Sequence, residues 1–154
     1  MNNHRQSKNR GRAFAKGQAI VELAGALFVL VPLLLAAVDF GRLYYANIEV
    51  MAAARAGVQY GSQSVTTAAN PAGMRSTASN DASDLSSMTP TASQCTCMGG
   101  SSSVAACPTS YCASNPTATF VEVDTSTTFN TIVSWPGIPH SITLTGKAVM
   151  MVAQ

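Results

Sequence analysis

The side chains able to do chemistry are few and lie far apart along the chain. Four cysteines, Cys95, Cys97, Cys107 and Cys112, follow a C-x-C-x9-C-x4-C spacing. An even set of thiols in a stretch poor in large apolar groups favours disulfides outside the cytoplasm, where such bridges persist. Of the three pairings that four cysteines allow, those joining Cys95 and Cys97 each to one of the later pair are favoured. A bridge within C-x-C is awkward in an extended strand. Four thiolates on a zinc ion are the alternative, but the C-x-x-C knuckle of structural zinc sites is missing. Glu122 and Asp124 share one face of a strand, where acids usually form the solvated side. His4 and His140 are the only histidines, and G-x-S-x-G, H-E-x-x-H and phosphate-binding glycine loops are absent. The chain therefore reads as a non-enzyme without metal or cofactor.

One carboxylate stands apart. Residues 19–38, AIVELAGALFVLVPLLLAAV, carry Glu22 as their only charge, and an acid at the edge of a membrane segment is by default functional. The run is long enough to cross a hydrocarbon core of about 30 Å. Arg5, Lys8, Arg10, Arg12 and Lys16 precede it without an intervening acid. By the positive-inside bias the N-terminus is cytoplasmic and the rest of the chain lies beyond the membrane. The basic cluster is thus a topology signal rather than a nucleic-acid site. A cleavable secretory signal has a shorter apolar core and no acid inside it. A cut after Gly17 would remove the basic leader and put a new amine on Gln18, one helical turn before Glu22. That carboxylate could then neutralise the amine of its own chain or of a neighbour, fixing axial register in a bundle.

The elements that position these groups follow from periodicity. With 47% hydrophobic but only 10% charged residues in 154, the chain suits one small domain plus a membrane element. Residues 1–17 form a basic leader, whose first 16 residues lack a hydrophobic period and should be disordered in isolation. A transmembrane helix covers 18–40. Helical spacing continues through Leu43, Ile48, Met51 and Arg55, so a stalk helix covers 41–62 and ends near Gly61-Ser62. A helix from Gln18 to Tyr60 would be about 65 Å long, more than twice the bilayer core. Pro32 predicts a kink, and Gly25 and Gly41 are candidate close-packing or hinge positions.

Residues 63–154 make a small extracytoplasmic domain. Asn70-Pro71 starts a short helix over about 71–87, with Met74, Ala78, Ala82 and Leu85 as its apolar stripe. A Cys-rich loop, 91–118, includes the flexible run Gly99 to Ser103. Period-two patterns then predict strands at 119–125, at 129–135 and from Ile142 to Val152, with a turn at Trp135-Pro136-Gly137-Ile138-Pro139; Ser93 to Cys97 is a possible fourth strand. The fold class is α+β, with a long transmembrane and stalk helix, a short second helix, a small antiparallel sheet and a disulfide-stapled loop.

Gly17-Gln18-Ala19-Ile20-Val21-Glu22 behind a basic leader resembles the start of a type IV pilin. With Pro32-Leu33-Leu34-Leu35, Asp39-Phe40-Gly41-Arg42 and Ala52-Ala53-Ala54-Arg55-Ala56-Gly57, the chain resembles the TadE-like family of minor pseudopilins of the bacterial tight-adherence (Flp) pilus. The Pro136-Gly137 turn and the alternating strand from Ile142 to Met150 are also similar to that family. The resemblance implies cleavage between Gly17 and Gln18 by a prepilin peptidase and a role in pilus assembly and adhesion. Its partners would be the inner membrane, other Tad pilins and pseudopilins, and the assembly platform. Leu23 follows Glu22 where many members carry Phe and major Flp pilins carry Tyr, which argues against the major pilin. An uncleaved single-span scaffold or adhesion protein of the same system is the alternative.

Overall fold

The computed structural model describes residues 4–97, 105–113, 117–134 and 137–153, with side chains from Gly17 onward. Gly99 to Ser103 and the Trp135-Pro136 half of the expected turn lie outside them. The chain divides into two compact units, Met1–Gly41 and Arg42–Gln154.

Helix α1 (His4–Ser62) contributes to both units. It begins well before Gln18, correcting the expectation of a disordered leader. Arg10, Arg12, Ala13, Ala15 and Lys16 are good helix formers without an intervening proline, and extending a helix is far easier than nucleating one. Pro32 is accommodated inside it. Within the first unit the apolar side chains are exposed on every side of the helix, from Ile20 and Val21 through Phe28 to Phe40. An all-round apolar helix belongs in a membrane or a large core. The part of α1 from Gly17 to Ser62 is long and apolar enough to cross a bilayer, and none of its most apolar stretch is buried. It fits a single-pass anchor.

In the second unit α1 leads into a single turn, α2 (Val65–Ala68), closed by a capping box between Ser64 and Thr67. Helix α3 (Pro71–Asp81) starts where expected: the Asn70 side chain accepts from the Gly73 amide at 3.0 Å and Pro71 occupies the first turn. It stops earlier than 87 because Asn80, Asp81, Ser83 and Asp84 offer the backbone competing hydrogen bonds. The stripe still packs inward, with Met74, Ala78 and Ala82 buried and Leu85 against them.

Strands β1 (Thr89–Thr96), β2 (Ala105–Ala106), β3 (Thr119–Asn130) and β4 (Ser141–Met151) form a sheet in the order β2-β1-β3-β4. β1 and β4 pair antiparallel with β3, while the two-residue β2 runs parallel to β1 at the edge. The expected strands at 119–125 and 129–135 are one: β3 runs through Phe129 to Asn130, and Thr131 to Ser134 leave the sheet. The threonine-rich stretch between them supports strand as well as the flanking valines do. The Cys-rich loop is likewise partly regular, holding β1, β2 and the short helix α4 (Thr109–Cys112).

One sheet face packs on the helices. Along β3, Val121, Val123, Thr125, Thr127 and Phe129 are buried in strict alternation. They meet Val50, Ala53, Gly57 and Val58 of α1 together with Met74 of α3. Each fully buried side chain of valine or methionine size contributes about 2 kcal/mol. Small residues let the layers approach: a Cβ on Gly57 would sit 3.1 Å from Val123 and from the Met74 carbonyl, and one on Gly61 would collide with the Met74 sulfur. The Ala153 amide closes the layer by donating to the Ser62 carbonyl at 2.8 Å, an otherwise orphaned group at the end of α1.

Candidate processing and assembly site

In the first unit, Gly17, Gln18 and Glu22 lie on an exposed helical stretch. Nothing comes within 4 Å of a Cβ built on Gly17. Residues 18 and 22 share one helix face, and the Gln18 side-chain amide donates to Glu22 Oε1 at 3.3 Å. The carboxylate is thus oriented toward the residue that would carry a new amine after a cut at Gly17. Gly25 and Gly41 face open space within the single chain. Of the exit motif, Asp39 is buried and Phe40 exposed.

Arg42, the motif's last residue, opens the second unit. Its guanidinium lies over the Phe129 ring at 5.3 Å from the centroid, a cation–π contact that holds the end of β3 on α1. Beside it is an open groove of about 240 Å³ lined by Arg42, Asp84, Leu85, Ser86, Thr127 and Asn130. Further along, the buried Thr125 hydroxyl donates to the Val50 carbonyl at 2.7 Å, tying sheet to helix. Gly146 of β4 makes this possible, since a Cβ there would sit 2.6 Å from that same carbonyl. Sequence reasoning missed Thr125 and Gly146, although a glycine inside a strand is the recognised mark of a close backbone approach.

The cysteines pair as Cys95–Cys107 and Cys97–Cys112, each early cysteine with one of the later two. The bridges are neighbours: the sulfurs of Cys97, Cys107 and Cys112 lie within 4.8 Å of one another. Each is held in one of the two bridges, so none offers a thiolate for zinc. Together they clamp β2 and α4 against β1. Tyr111 of α4 then reaches across the outer sheet face, packing on Phe120 at 5.7 Å between ring centroids and donating to Glu122 Oε2 at 3.1 Å. Lys147 Nζ donates to Glu122 Oε1 at 2.5 Å and stands 3.8 Å from Asp124.

These charges tune one another. The hydrogen bond from Lys147 holds the Glu122 carboxyl below its ordinary value, and the same bond pushes the Lys147 ammonium up. Partial burial raises Asp124, and burial followed by the bond to Glu122 raises the Tyr111 phenol. Glu122 is therefore an ion-paired acid that also holds Tyr111 of the clasp, while Asp124 stands beside the same ammonium. His140 closes the β3–β4 connection, its Nδ1 3.1 Å from the Thr131 hydroxyl.

Among the described residues, one long apolar helix carrying the exposed Glu22 leads into an α+β unit with two disulfides, an arrangement that fits a single-pass membrane anchor. Residues 17–59 match the model of the family described as TadE-like protein. That is a class of structural, Tad-pilus-associated proteins. No curated protein and no solved structure matches the chain.

Proposed function

We propose that this protein is a minor pseudopilin of a Tad (Flp) pilus, an assembly subunit cut by a prepilin peptidase after Gly17. The observation that carries the reading is the family match, which starts at Gly17 and takes in Glu22 and the exit motif. The exposed helical step from Gly17 to Glu22, with Gln18 bonded to the carboxylate, supports the two roles: Gly17 marks the cut and Glu22 receives the amine. Residues 18–40 span the inner membrane with the leader in the cytoplasm, and residues 41–62 and 63–154 form a stalk and domain on the far side. The partners are the peptidase, the other Tad pilins and pseudopilins, and the assembly platform.

N-terminal sequencing of the protein from cells with an active prepilin peptidase tests the cut. A mature chain beginning at Gln18 is expected, and Gly17→Leu should leave Met1 in place. Glu22→Ala should be cut normally yet assemble poorly; normal piliation in such cells would refute the charge-pairing role. The unbroken course of α1 through Gly17 favours the second reading, an uncleaved membrane-anchored scaffold or adhesion protein of the same system. An intact N-terminus on wild-type protein in those cells would select it.

A further inference from the structure

We propose that the two disulfides work as one exchange unit: Cys97 and Cys107 form a third, alternative bridge, so that a dithiol attacking at Cys112 releases Cys95 rather than Cys97 as the second free thiol. The placement of the sulfurs carries the inference. Those of Cys97, Cys107 and Cys112 lie within 4.8 Å of one another although they belong to two different bridges, and Cys95 lies outside this group. A change of side-chain rotamer at Cys97 closes such a gap to bonding distance.

The backbone keeps Cys97 and Cys107 together whatever their sulfurs are bonded to. The Cys107 amide donates to the Thr96 carbonyl at 3.1 Å, and the Cys97 amide donates to the Ala118 carbonyl at 3.0 Å. Thr96 and Ala106, the residues beside them, are partners in the β1–β2 ladder. Cys95 is enclosed by the sheet backbone, paired with Ala105 on one side and Phe120 on the other. Cys112 instead ends α4, a single turn in which no residue is buried, with exposed Ser110 and Ala113 close by. Access therefore favours Cys112 as the point of attack.

Exchange runs by attack of a thiolate on a disulfide sulfur through a mixed disulfide. One thiolate of the dithiol bonds to Cys112 Sγ, and the electron pair of the broken S–S bond leaves on Cys97. The Cys97 thiolate then attacks Cys107 Sγ. A Cys97–Cys107 bond forms, the Cys95–Cys107 bond breaks, and Cys95 leaves as a thiolate that takes up a proton. The second thiol of the reagent, deprotonated, displaces Cys112 from the mixed disulfide, and Cys112 takes up the other proton. The reagent ends as a disulfide, two electrons have passed to the protein, and one protein bridge remains in place of two. In that product the ends of β1 and β2 are still joined, through Cys97 and Cys107. Helix α4 has lost its covalent tie and keeps its contacts through Tyr111 to Phe120 and Glu122. The pair of bridges is thus a redox-sensitive latch that frees α4 while the edge of the sheet stays closed.

Only the second unit takes part, so the test is independent of processing after Gly17. All four native cysteines are bridged, and any thiol that appears reports the exchange. Full-length wild-type protein in detergent is treated with one equivalent of dithiothreitol, trapped with N-ethylmaleimide and mapped by tandem mass spectrometry. The one-bridge species is expected to carry the label on Cys95 and Cys112. Label confined to Cys97 and Cys112, the mark of plain reduction without exchange, overturns the proposal, as does label confined to Cys95 and Cys107. Paired serine variants then test the alternative bridge directly. Cys95→Ser/Cys112→Ser, which keeps Cys97 and Cys107, is expected to purify without a maleimide-reactive thiol. Cys97→Ser/Cys107→Ser, which keeps Cys95 and Cys112, should stay reduced in the same glutathione buffer. Cys95→Ser/Cys107→Ser retains a native bridge and shows that a chain with one bridge folds. Free thiols in the first variant while this last one is bridged overturn the proposal. Equally ready bridging of Cys95 with Cys112 overturns it too, because the backbone would then not be directing the exchange.

Discussion

The two units solve opposite problems with the same helix. Up to Gly41, α1 presents leucine, valine, isoleucine and phenylalanine on all sides and buries almost none of them. From Arg42 on, its inward face is Ala46, Val50, Ala53, Ala54, Gly57 and Val58, nearly all fully buried under the sheet and α3. Large apolar side chains are placed where the chain itself packs nothing against them. Small ones are placed where another layer of the same chain must come within backbone distance. The first unit leaves its large apolar side chains uncovered by the chain, whereas the second buries a core of its own.

Glycine separates the two regimes most sharply. Gly146→Ala puts a methyl group against the Val50 carbonyl, a backbone atom that cannot swing aside. It should destabilise the second unit by about 3 kcal/mol, the upper part of the usual overpacking range. Gly25→Ala, in the first unit, meets nothing and should leave the unfolding of the second unit unchanged. Thermal unfolding of both variants in detergent, followed by near-ultraviolet circular dichroism, reads the difference. Equal melting temperatures for Gly146→Ala and the wild type would show that helix and sheet are not held at this distance.

The disulfide clasp belongs to the second unit alone. Replacing Cys97 and Cys112 together by serine opens a loop of sequence separation 15 and should cost about 3 kcal/mol through the freed unfolded chain. The core among Val58, Met74, Val121 and Val123 does not include the clasp. A lower melting temperature with unchanged secondary structure is therefore expected. Loss of the sheet on replacing this one bridge would mean that the clasp organises the fold rather than stapling it.

Legibility in the sequence follows the same division. The membrane run, Glu22 within it, the Asn70-Pro71 helix start and the Met74 stripe are written in local composition and period, so the pattern alone finds them. The pairing of Cys95 and Cys97 with later cysteines was accessible because geometry disfavours the short bridge. The extra strand length in β3 was obscured because Thr125 to Thr128 have no apolar alternation, their burial being set by the helix that covers them. Thr125 with Val50, Arg42 with Phe129 and Tyr111 with Glu122 join residues distant in sequence. Nothing local to either partner announces such contacts. At the candidate site, residue types and spacing pointed to Gly17 and Glu22, whereas the direction of β3 along α1 appeared only with the tertiary structure.

The smallest expected effect is electrostatic and tests whether Tyr111 is held to the sheet by charge as well as by the bridges. Glu122 has its folded pKa depressed chiefly by the hydrogen bond from Lys147. Its contribution is therefore fully present above the unfolded value of 4.5 and is lost as pH falls through the folded value. Asp124, raised by burial, acts in the opposite sense, because its protonation on acidification favours the folded form. The two partly cancel, and Lys147 is exposed to solvent that screens the pair, so the net slope is modest. Lys147, raised by the same bond, gives up its share only as pH climbs through its folded value above 10.5. Melting temperatures measured from neutral pH to below 4.5 should fall more steeply for the wild type than for Glu122→Gln. The glutamine keeps an acceptor for the Tyr111 hydroxyl but has no charge to lose. Tyrosine circular dichroism should change over the same acid range in the wild type as Tyr111 loosens. Identical slopes in the two proteins would assign the docking of α4 to the disulfides and the Phe120 contact alone.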